Sequence, residues 1–202
     1  MSRLIIGVTG NIASGKSLVA RYFHEKGCAL VDADKVAHEL YATNRGLVQQ
    51  LAAEFGPEIQ FLDGSLNRKR LGAMVFGDQQ ALLLLNRIIH PHLLIAVRER
   101  VFSALRILNR VVLDAALIVE WGAQREVDRL ILVSCPEPLR KERLMERDGL
   151  TSDEAERRIR SQLPESEKRP FADFEIKNDT DSQSLYHKAD EVWAAIESQD
   201  SK

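Results

Sequence analysis

The sequence predicts an α/β protein: a doubly wound, five-stranded parallel sheet with a helical insertion and a helical lid. Three observations lead there. Five short apolar runs, residues 4–9, 28–31, 110–114, 130–135 and 174–178, alternate with stretches of helical periodicity, the pattern of βαβ units and a parallel sheet. Between the first run and the first helix lies Gly10-Asn11-Ile12-Ala13-Ser14-Gly15-Lys16-Ser17, which satisfies G-x-x-x-x-G-K-[ST] at every fixed position, in the strand-to-helix context such a loop requires. Residues 45–108 read almost wholly as helix, far longer than an ordinary crossover, so they form an insertion beside the sheet.

The elements follow in order. Leu4-Ile5-Ile6-Gly7-Val8-Thr9 is apolar and rich in β-branched residues, as a strand buried on both faces should be. In the loop, Gly10 and Gly15 permit backbone angles and a close approach that a Cβ would obstruct, so successive N–H groups converge on phosphate oxygens. The helix that begins near Lys16 and stops at Gly27 adds its positive dipole end. Lys16 then reaches the β- and γ-phosphates as a point charge, and the Ser17 hydroxyl is placed to ligate Mg²⁺. The second strand runs into Asp32-Ala33-Asp34 at the C-terminal sheet edge, where open α/β sheets bind ligands. If strand geometry persists, alternation puts both carboxylates on one side, facing one substrate; alternatively, either caps the helix near residues 35–40.

Within the insertion, residues 46–55 form an amphipathic helix closed by Gly56-Pro57, residues 59–66 a turn or brief hairpin, and residues 67–76 a helix bearing Arg68, Lys69 and Arg70. That triplet fits a solvated helix face better than a binding site. Residues 79–90 form a further helix, and Pro91 starts another that runs through residue 108, because proline suits a first turn and not a helix interior. His90 and His92 flank Pro91 without nearby Cys or carboxylate ligands, which argues against a metal site there. The third strand ends in Asp114, the shape of an acid that helps hold Mg²⁺ or its water shell, and residues 117–122 continue as a loop or short helix on the same edge. After the fourth strand come a helix with Arg140, Lys141, Arg143 and Arg147, and a second, opened by Thr151 and carrying Arg157, Arg158 and Arg160. Two readings stand for this pair: a mobile lid that closes on transferring phosphate, or charged surface helices held by pairs such as Glu154 with Arg158. The last strand leads through Asp179-Thr180-Asp181 into a helix, residues 185–196, that packs back on the sheet.

Composition narrows the function classes. The 202 residues, 45% hydrophobic and 29% charged, suffice for one α/β core with inserted segments, with disorder expected only at residues 198–202. A net charge of −2 and a pI near 6.2 argue against a large nucleic-acid-binding face. No run approaches about 18 uninterrupted apolar residues and the chain passes directly into a strand, so neither a membrane span nor a secretory signal is expected. Cys28 and Cys135 lie in or beside apolar runs without CxxC spacing, as buried reduced thiols do. A cytoplasmic location follows.

With these residues in place, the sequence resembles the dephospho-coenzyme A kinase family, in the P-loop nucleoside-kinase group. The likeness covers nearly the whole chain in order: residues 7–17, residues 27–34 ending in Asp-Ala-Asp, Leu66-Asn67-Arg68, Val75-Phe76, Ile89-His90-Pro91, Glu120, Arg143-Leu144, Arg147-Asp148-Gly149-Leu150, Arg158-Ile159, Gln162, Lys168, Ala172-Asp173, and Ile176 with Asn178. The phosphate loop alone is shared with many families; the later segments together are much more specific. The resemblance implies a sheet of the P-loop kinase type and transfer of the ATP γ-phosphate to the ribose 3′-hydroxyl of dephospho-CoA, giving CoA and ADP, the last step of coenzyme A biosynthesis. It makes Asp34 the group that positions and deprotonates that hydroxyl, and Lys16 and the lid residues Arg140, Arg143 and Arg147 the cations acting on the transferred phosphate. It gives ATP to Asn11, Ile12, Ala13, Ser14, Gly15, Lys16 and Ser17, with Asn178 by the adenine end; the acceptor to Asp32, Asp34, His90 and Glu120; and Mg²⁺ to Ser17 and Asp114. The implied division is a nucleotide-binding core of residues 1–44, 109–135 and 170–202, a CoA-binding insertion of 45–108 and a lid of 136–169. Asn11 and Ala13 stand where the family has glycine, Ala116 where it has proline, and Arg140 where glutamine is common. The alternatives are another small-metabolite P-loop kinase, acting for example on shikimate or gluconate, a nucleotide-switch ATPase, and a nucleotide-sensing protein without turnover. No nucleic-acid or membrane partner is expected, and the oligomeric state is left open.

Overall fold

The computed structural model describes residues 3–75 and 78–200. Phe76, part of the family likeness, lies outside the described residues, as do Ser201 and Lys202 of the tail expected to be disordered. The chain divides into two compact units, one formed by Met1–Asp32 and Val101–Lys202, the other by Ala33–Arg100.

The first unit is built on five strands: β1 (Leu4–Thr9), β2 (Ala29–Asp32), β3 (Arg110–Asp114), β4 (Arg129–Ser134) and β5 (Phe174–Lys177). Their order is β2-β3-β1-β4-β5 and every pairing is parallel. β1 and β3 are each buried along nearly their whole length, which explains why they read as continuous apolar runs and not as alternating ones. On one face Leu4, Ile6, Val8, Val112, Ile131, Val133 and Ile176 pack against Val19, Ala20 and Phe23 of α1 (Lys16–Glu25) and Leu185, Ala189 and Ile196 of α9 (Ser182–Asp200). Each fully buried large apolar side chain there contributes about 1.5–3 kcal/mol relative to an exposed one. Gly7 serves the opposite face: a Cβ there would press on Ile118, Val127 and Leu130 at 3.1 Å, so glycine lets the segment after β3 lie directly on the sheet.

Register fixes the working edge. Val8 and Asp32 both pair with Asp114, so the ends of β1, β2 and β3 coincide where the phosphate loop leaves β1. Strand geometry does not persist beyond Asp32. Ala33 opens α2 (Ala33–Thr43), which places Asp34 in a helical first turn, so alternation with Asp32 does not apply. Asp34 lies inside the helix and is therefore not its cap; an acid there favours the helix dipole.

The second unit holds α2, α3 (Arg45–Phe55), a 3₁₀ turn (Pro57–Ile59), α4 (Arg68–Val75) and most of α5 (Gln79–Leu105). The Asn44 side chain caps α3 by accepting the Leu47 N–H at 2.9 Å. An antiparallel bridge joins Gln60 to Leu66, so the expected brief hairpin is present. Arg68, Lys69 and Arg70 are all exposed. The expected break at Pro91 is absent: α5 is one helix of 27 residues with Pro91 inside it, and it stops at Leu105, not at residue 108. Its Ile88, Ile89, Leu93, Val97, Val101 and Leu105 form a buried stripe, and burial of that stripe outweighs the hydrogen bond that proline forfeits. By length and composition α5 is apolar enough to cross a membrane, a test that core helices also pass.

The remaining helices of the first unit are α6 (Glu137–Asp148), α7 (Ser152–Arg160) and the short α8 (Glu165–Lys168). α6 stops at Gly149, whose φ of 65° is a left-handed helix end. α7 starts with a complete capping box between Thr151 and Glu154. Leu144, Ala155 and Ile159 seal α6 to α7, and Ile12 and Ala13 of the phosphate loop pack on the same cluster. Glu154 holds Thr151, whose hydrogen bonds lower the pKa of the Glu154 carboxyl, with the charges of Arg157 and Arg158 adding to the shift, and Arg158 also reaches Asp148 at 3.2 Å. The tail is helical through Asp200.

Candidate active site

The phosphate loop is shaped by two glycines. At Gly10 a Cβ would collide with the Val133 carbonyl and Ser14 Oγ; at Gly15, with φ 93°, it would collide with Asn178 Nδ2. Ser14 N–H donates to the Asn11 carbonyl at 3.0 Å, closing the loop. Helix α1 begins after Gly15 with no side-chain cap, so its first N–H groups are left for an anion. Ser14 is fully buried, and its Oγ has no hydrogen-bond partner among the described residues. A buried polar atom left unmatched in such a loop calls for a ligand.

Lys16 extends from the first residue of α1 to within 3.3 Å of Asp114 Oδ1 at the end of β3, with side chains only 13% and 6% exposed. The contact is an ion pair without hydrogen-bond angles, so this buried Asp114 oxygen makes no hydrogen bond. A buried carboxylate oxygen that makes no hydrogen bond fits a hard cation, which takes oxygen ligands and retains waters. Among the described residues no group of three or more His, Cys, Asp or Glu could hold a metal ion by itself. A Mg²⁺ at Ser17 and Asp114 would therefore draw most of its ligands from phosphate and water.

The three arginines of α6 separate clearly. Arg143 spans the loop: Nη1 lies 3.4 Å from the Ala13 carbonyl and 3.4 Å from Cys135 Sγ, and Nη2 3.5 Å from Asn178 Oδ1. Arg140 is buried, donating from Nε to the Cys135 carbonyl at 3.0 Å with Glu165 at 3.8 Å, and its Nη1 has no partner. Arg147 is 61% exposed and engaged with its neighbour Asp148. Only Arg143 touches the phosphate loop among these three in the contacts described. Asn178, buried after β5, donates Nδ2–H to the Ser14 carbonyl at 2.8 Å, so its amide braces the loop from behind Gly15. Cys135 carries a thiol whose pKa is raised by burial against the opposing pull of Arg143 and Arg140.

A cavity of about 520 Å³ opens beside this edge, lined by residues that include Asn11, Cys135, Arg140, Gln162, Glu165 and Asp179. Its walls set Arg140, Arg160, Arg169 and Lys177 against Glu137, Glu165, Glu175 and Asp179. That balance offers little to a polyphosphate, whose charge falls instead to Lys16 and the loop N–H groups.

Glu120, assigned from sequence to the acceptor, sits in a cluster with Lys168, Gln162 and Leu163, to which no role was assigned. Lys168 is fully buried; its Nζ lies 2.7 Å from Glu120 Oε1 and donates to the Ala116 carbonyl at 2.8 Å. Burial lowers the Lys168 pKa, and the hydrogen bond to Glu120 opposes that shift. Glu120 Oε1 also accepts the Leu163 N–H at 3.2 Å, while its Oε2 is buried without a partner. Gln162 Oε1 accepts the Ile12 N–H at 2.6 Å, and the Leu163 carbonyl accepts from Asn11 Nδ2 at 3.0 Å. No periodicity or spacing signals such a cluster, because Lys168 sits in a polar stretch that reads as surface. Asp34, exposed on α2, and His90, half-buried on α5, belong to the second unit.

Comparisons with known proteins bear on this chain. A curated dephospho-CoA kinase of Shouchella clausii is 40% identical over 184 residues, covering 91% of this chain and 93% of its own. Among solved structures, TT1252 from Thermus thermophilus superposes with a TM-score of 0.79 at 32% identity, covering 97% of this chain and 98% of its own. A dephospho-CoA kinase from Campylobacter jejuni gives 0.58 at 26% identity, covering 95% and 96%. The CoaE dephospho-CoA kinase family matches residues 4–184, from the first strand into the last helix. A phosphate loop with its lysine on Asp114, on an all-parallel sheet matched to one family along nearly its whole length, leaves no doubt of kinship: the chain belongs to the dephospho-CoA kinase family.

Proposed function

We propose that this kinase moves the γ-phosphate of ATP to the ribose 3′-hydroxyl of dephospho-CoA, releasing ADP and CoA. The observation that carries the reading is the buried Lys16–Asp114 pair at the phosphate loop of a chain matched to this family over residues 4–184. Family membership sets the acceptor, and the geometry supports roles for the residues. The loop N–H groups of residues 11–17 and the uncapped start of α1 hold the phosphates. Lys16 neutralises charge on the transferring group. Mg²⁺, held by Ser17 and Asp114, would supply further neutralisation of phosphate oxygens. In the transfer, the acceptor oxygen forms a bond to the γ-phosphorus as the bond to the β,γ-bridging oxygen breaks, and the hydroxyl proton passes to Asp34. Asp34 stands exposed on the first turn of α2.

Arg143 completes the cation set at the loop, with Arg140 and Arg147 further along the same helix. Asn178 belongs to the nucleotide end, where it braces Ser14 and meets Arg143. Asp32, His90 and Glu120 are assigned to the acceptor, the insertion of residues 45–108 to its CoA portion, and residues 136–169 to the lid. Two free, buried thiols fit a reducing cytoplasm.

Asp34→Asn tests the reading directly. Asparagine keeps the shape and much of the hydrogen bonding but lacks the basic oxygen, so transfer to dephospho-CoA should fall about 10²-fold or more. Melting temperature and Mg-ATP affinity, measured on the same preparation, should hold. Retained transfer would refute the base assignment.

A further inference from the structure

The cluster around Lys168 joins three parts of the first unit. Thr9, the last residue of β1, donates to the Ala116 carbonyl at 3.1 Å, and the same oxygen accepts from Lys168. Lys168 then meets Glu120, which holds the Leu163 N–H. On its other side the phosphate loop grips Gln162 and Leu163: Ile12 N–H donates to the Gln162 side-chain oxygen and Asn11 Nδ2 to the Leu163 carbonyl. The result is a closed circuit of hydrogen bonds through strand end, Asp114 edge and the segment where the chain leaves α7.

We propose that Lys168 is a positioning residue, whose ion pair with Glu120 anchors the exit of the lid to the phosphate loop and so sets the lid over the transferring phosphate. Burying an ammonium is costly unless it is paired and hydrogen-bonded, and an apolar side chain would fill that volume at less cost. What the charge adds is direction: Nζ selects the Ala116 carbonyl and Glu120 Oε1, and Glu120 fixes Leu163. Because Gln162 and Leu163 touch Asn11 and Ile12, a displaced exit segment would shift the loop along with the lid. A lid held loosely admits water, which competes with the acceptor hydroxyl for the γ-phosphate.

The inference rests on the kinase reading, and the wild-type protein tests that reading first by transferring phosphate to dephospho-CoA. The variants Lys168→Met and Lys168→Met with Glu120→Gln then test the anchor, assayed well below their melting temperatures. Two rates are compared in each: phosphoryl transfer with dephospho-CoA, and ADP release without any acceptor. Transfer should fall about tenfold or more, since small misplacements of a reacting group cost up to 10²-fold, and the ratio of acceptor-free hydrolysis to transfer should rise. Lys168→Arg, which retains the charge, should restore part of the transfer. A purely structural lysine would scale both rates with the folded fraction and leave their ratio unchanged, which would overturn the anchor. The double variant leaves no unpaired buried charge, so it decides the matter if Lys168→Met does not fold, with its ratio read at saturating dephospho-CoA so that a lost acceptor contact of Glu120 does not enter; failure of both to fold would return the pair to the core and overturn the proposal.

Discussion

Ala13 has a φ of 62°, the one non-glycine residue in the left-handed region among the described residues. An L-residue there costs roughly 1–2 kcal/mol. Replacing it by glycine relieves that strain but adds chain entropy of about 0.5–1 kcal/mol and removes a methyl packed near Leu144 and Ile159, worth up to about 0.8 kcal/mol. The terms nearly cancel, so Ala13→Gly should leave the melting temperature close to wild type. Gly15→Ala should behave oppositely, because strain adds to a collision with Asn178 Nδ2; loss of stability and weakened ATP binding are expected, and unchanged ATP affinity would contradict the loop geometry. Cys28 supplies a pH test. Burial pushes its thiol up to about 11 from 9.0, so its contribution is complete below pH 9 and is lost as pH rises through about 11, the unfolded chain ionising first. Chemical denaturation of wild type and Cys28→Ala across that window should show the steeper alkaline loss in wild type. At this scale the sequence was legible where a residue acts through backbone geometry, as in Gly10 and Gly15, whose positions leave no room for a Cβ. It assigned no role to Lys168 and Gln162, which enter only as positions of the family likeness, because their partners lie 52 and 150 residues away and are joined to them only by tertiary packing.

Among the elements, strands could be read to within about a residue because each is a short apolar run bounded by a turn or a charge. Helix α5 could not, since Pro91 is a strong local stop signal and the buried stripe that overrides it is a tertiary effect. Pro91→Ala should therefore raise thermal stability, by up to about 3 kcal/mol if the helix bears the whole penalty of proline; a lowered melting temperature would mean that the bend is required. The junction of β2 and α2 was misjudged for a related reason: helix begins at Ala33 at once, without the turn residues that usually mark such a change. The helical pair α6–α7 could be located from Thr151 and Gly149, but the pattern of cations did not rank its arginines. Geometry does. Alanine at Arg143 should lower phosphoryl transfer about 10²-fold, as loss of a preorganised charge stabiliser does. Arg147→Ala should cost far less, because its partner is the adjacent, partly exposed Asp148 and exposed pairs contribute little. Steady-state rates for the two variants would reverse this assignment if Arg147→Ala proved the more damaging.

For the whole molecule, the phosphate loop lies in the first unit, and Asp34, His90 and residues 45–100 of the helical insertion lie in the second. This division gives the two substrates separable signatures. An ATP analogue that cannot transfer its phosphate should engage the loop of residues 10–17, so hydrogen exchange should slow there and in the segment around Asn178 that braces it. Dephospho-CoA alone, if the insertion holds its CoA portion, should slow exchange in peptides of residues 45–75 and in α2 around Asp34. The amides of α3 and α4 are suitable reporters because both helices are short, 11 and 8 residues, and short helices depend on tertiary contacts for stability. A ligand seated on them should therefore suppress local opening to a measurable degree. Tight binding of dephospho-CoA with protection confined to Met1–Asp32 and Val101–Lys202 would remove the acceptor from the insertion, and with it Asp34 from the chemistry. Protection in both units by the pair of substrates together, beyond the sum of each alone, would show that the nucleotide and acceptor are energetically coupled, as a transfer between them requires.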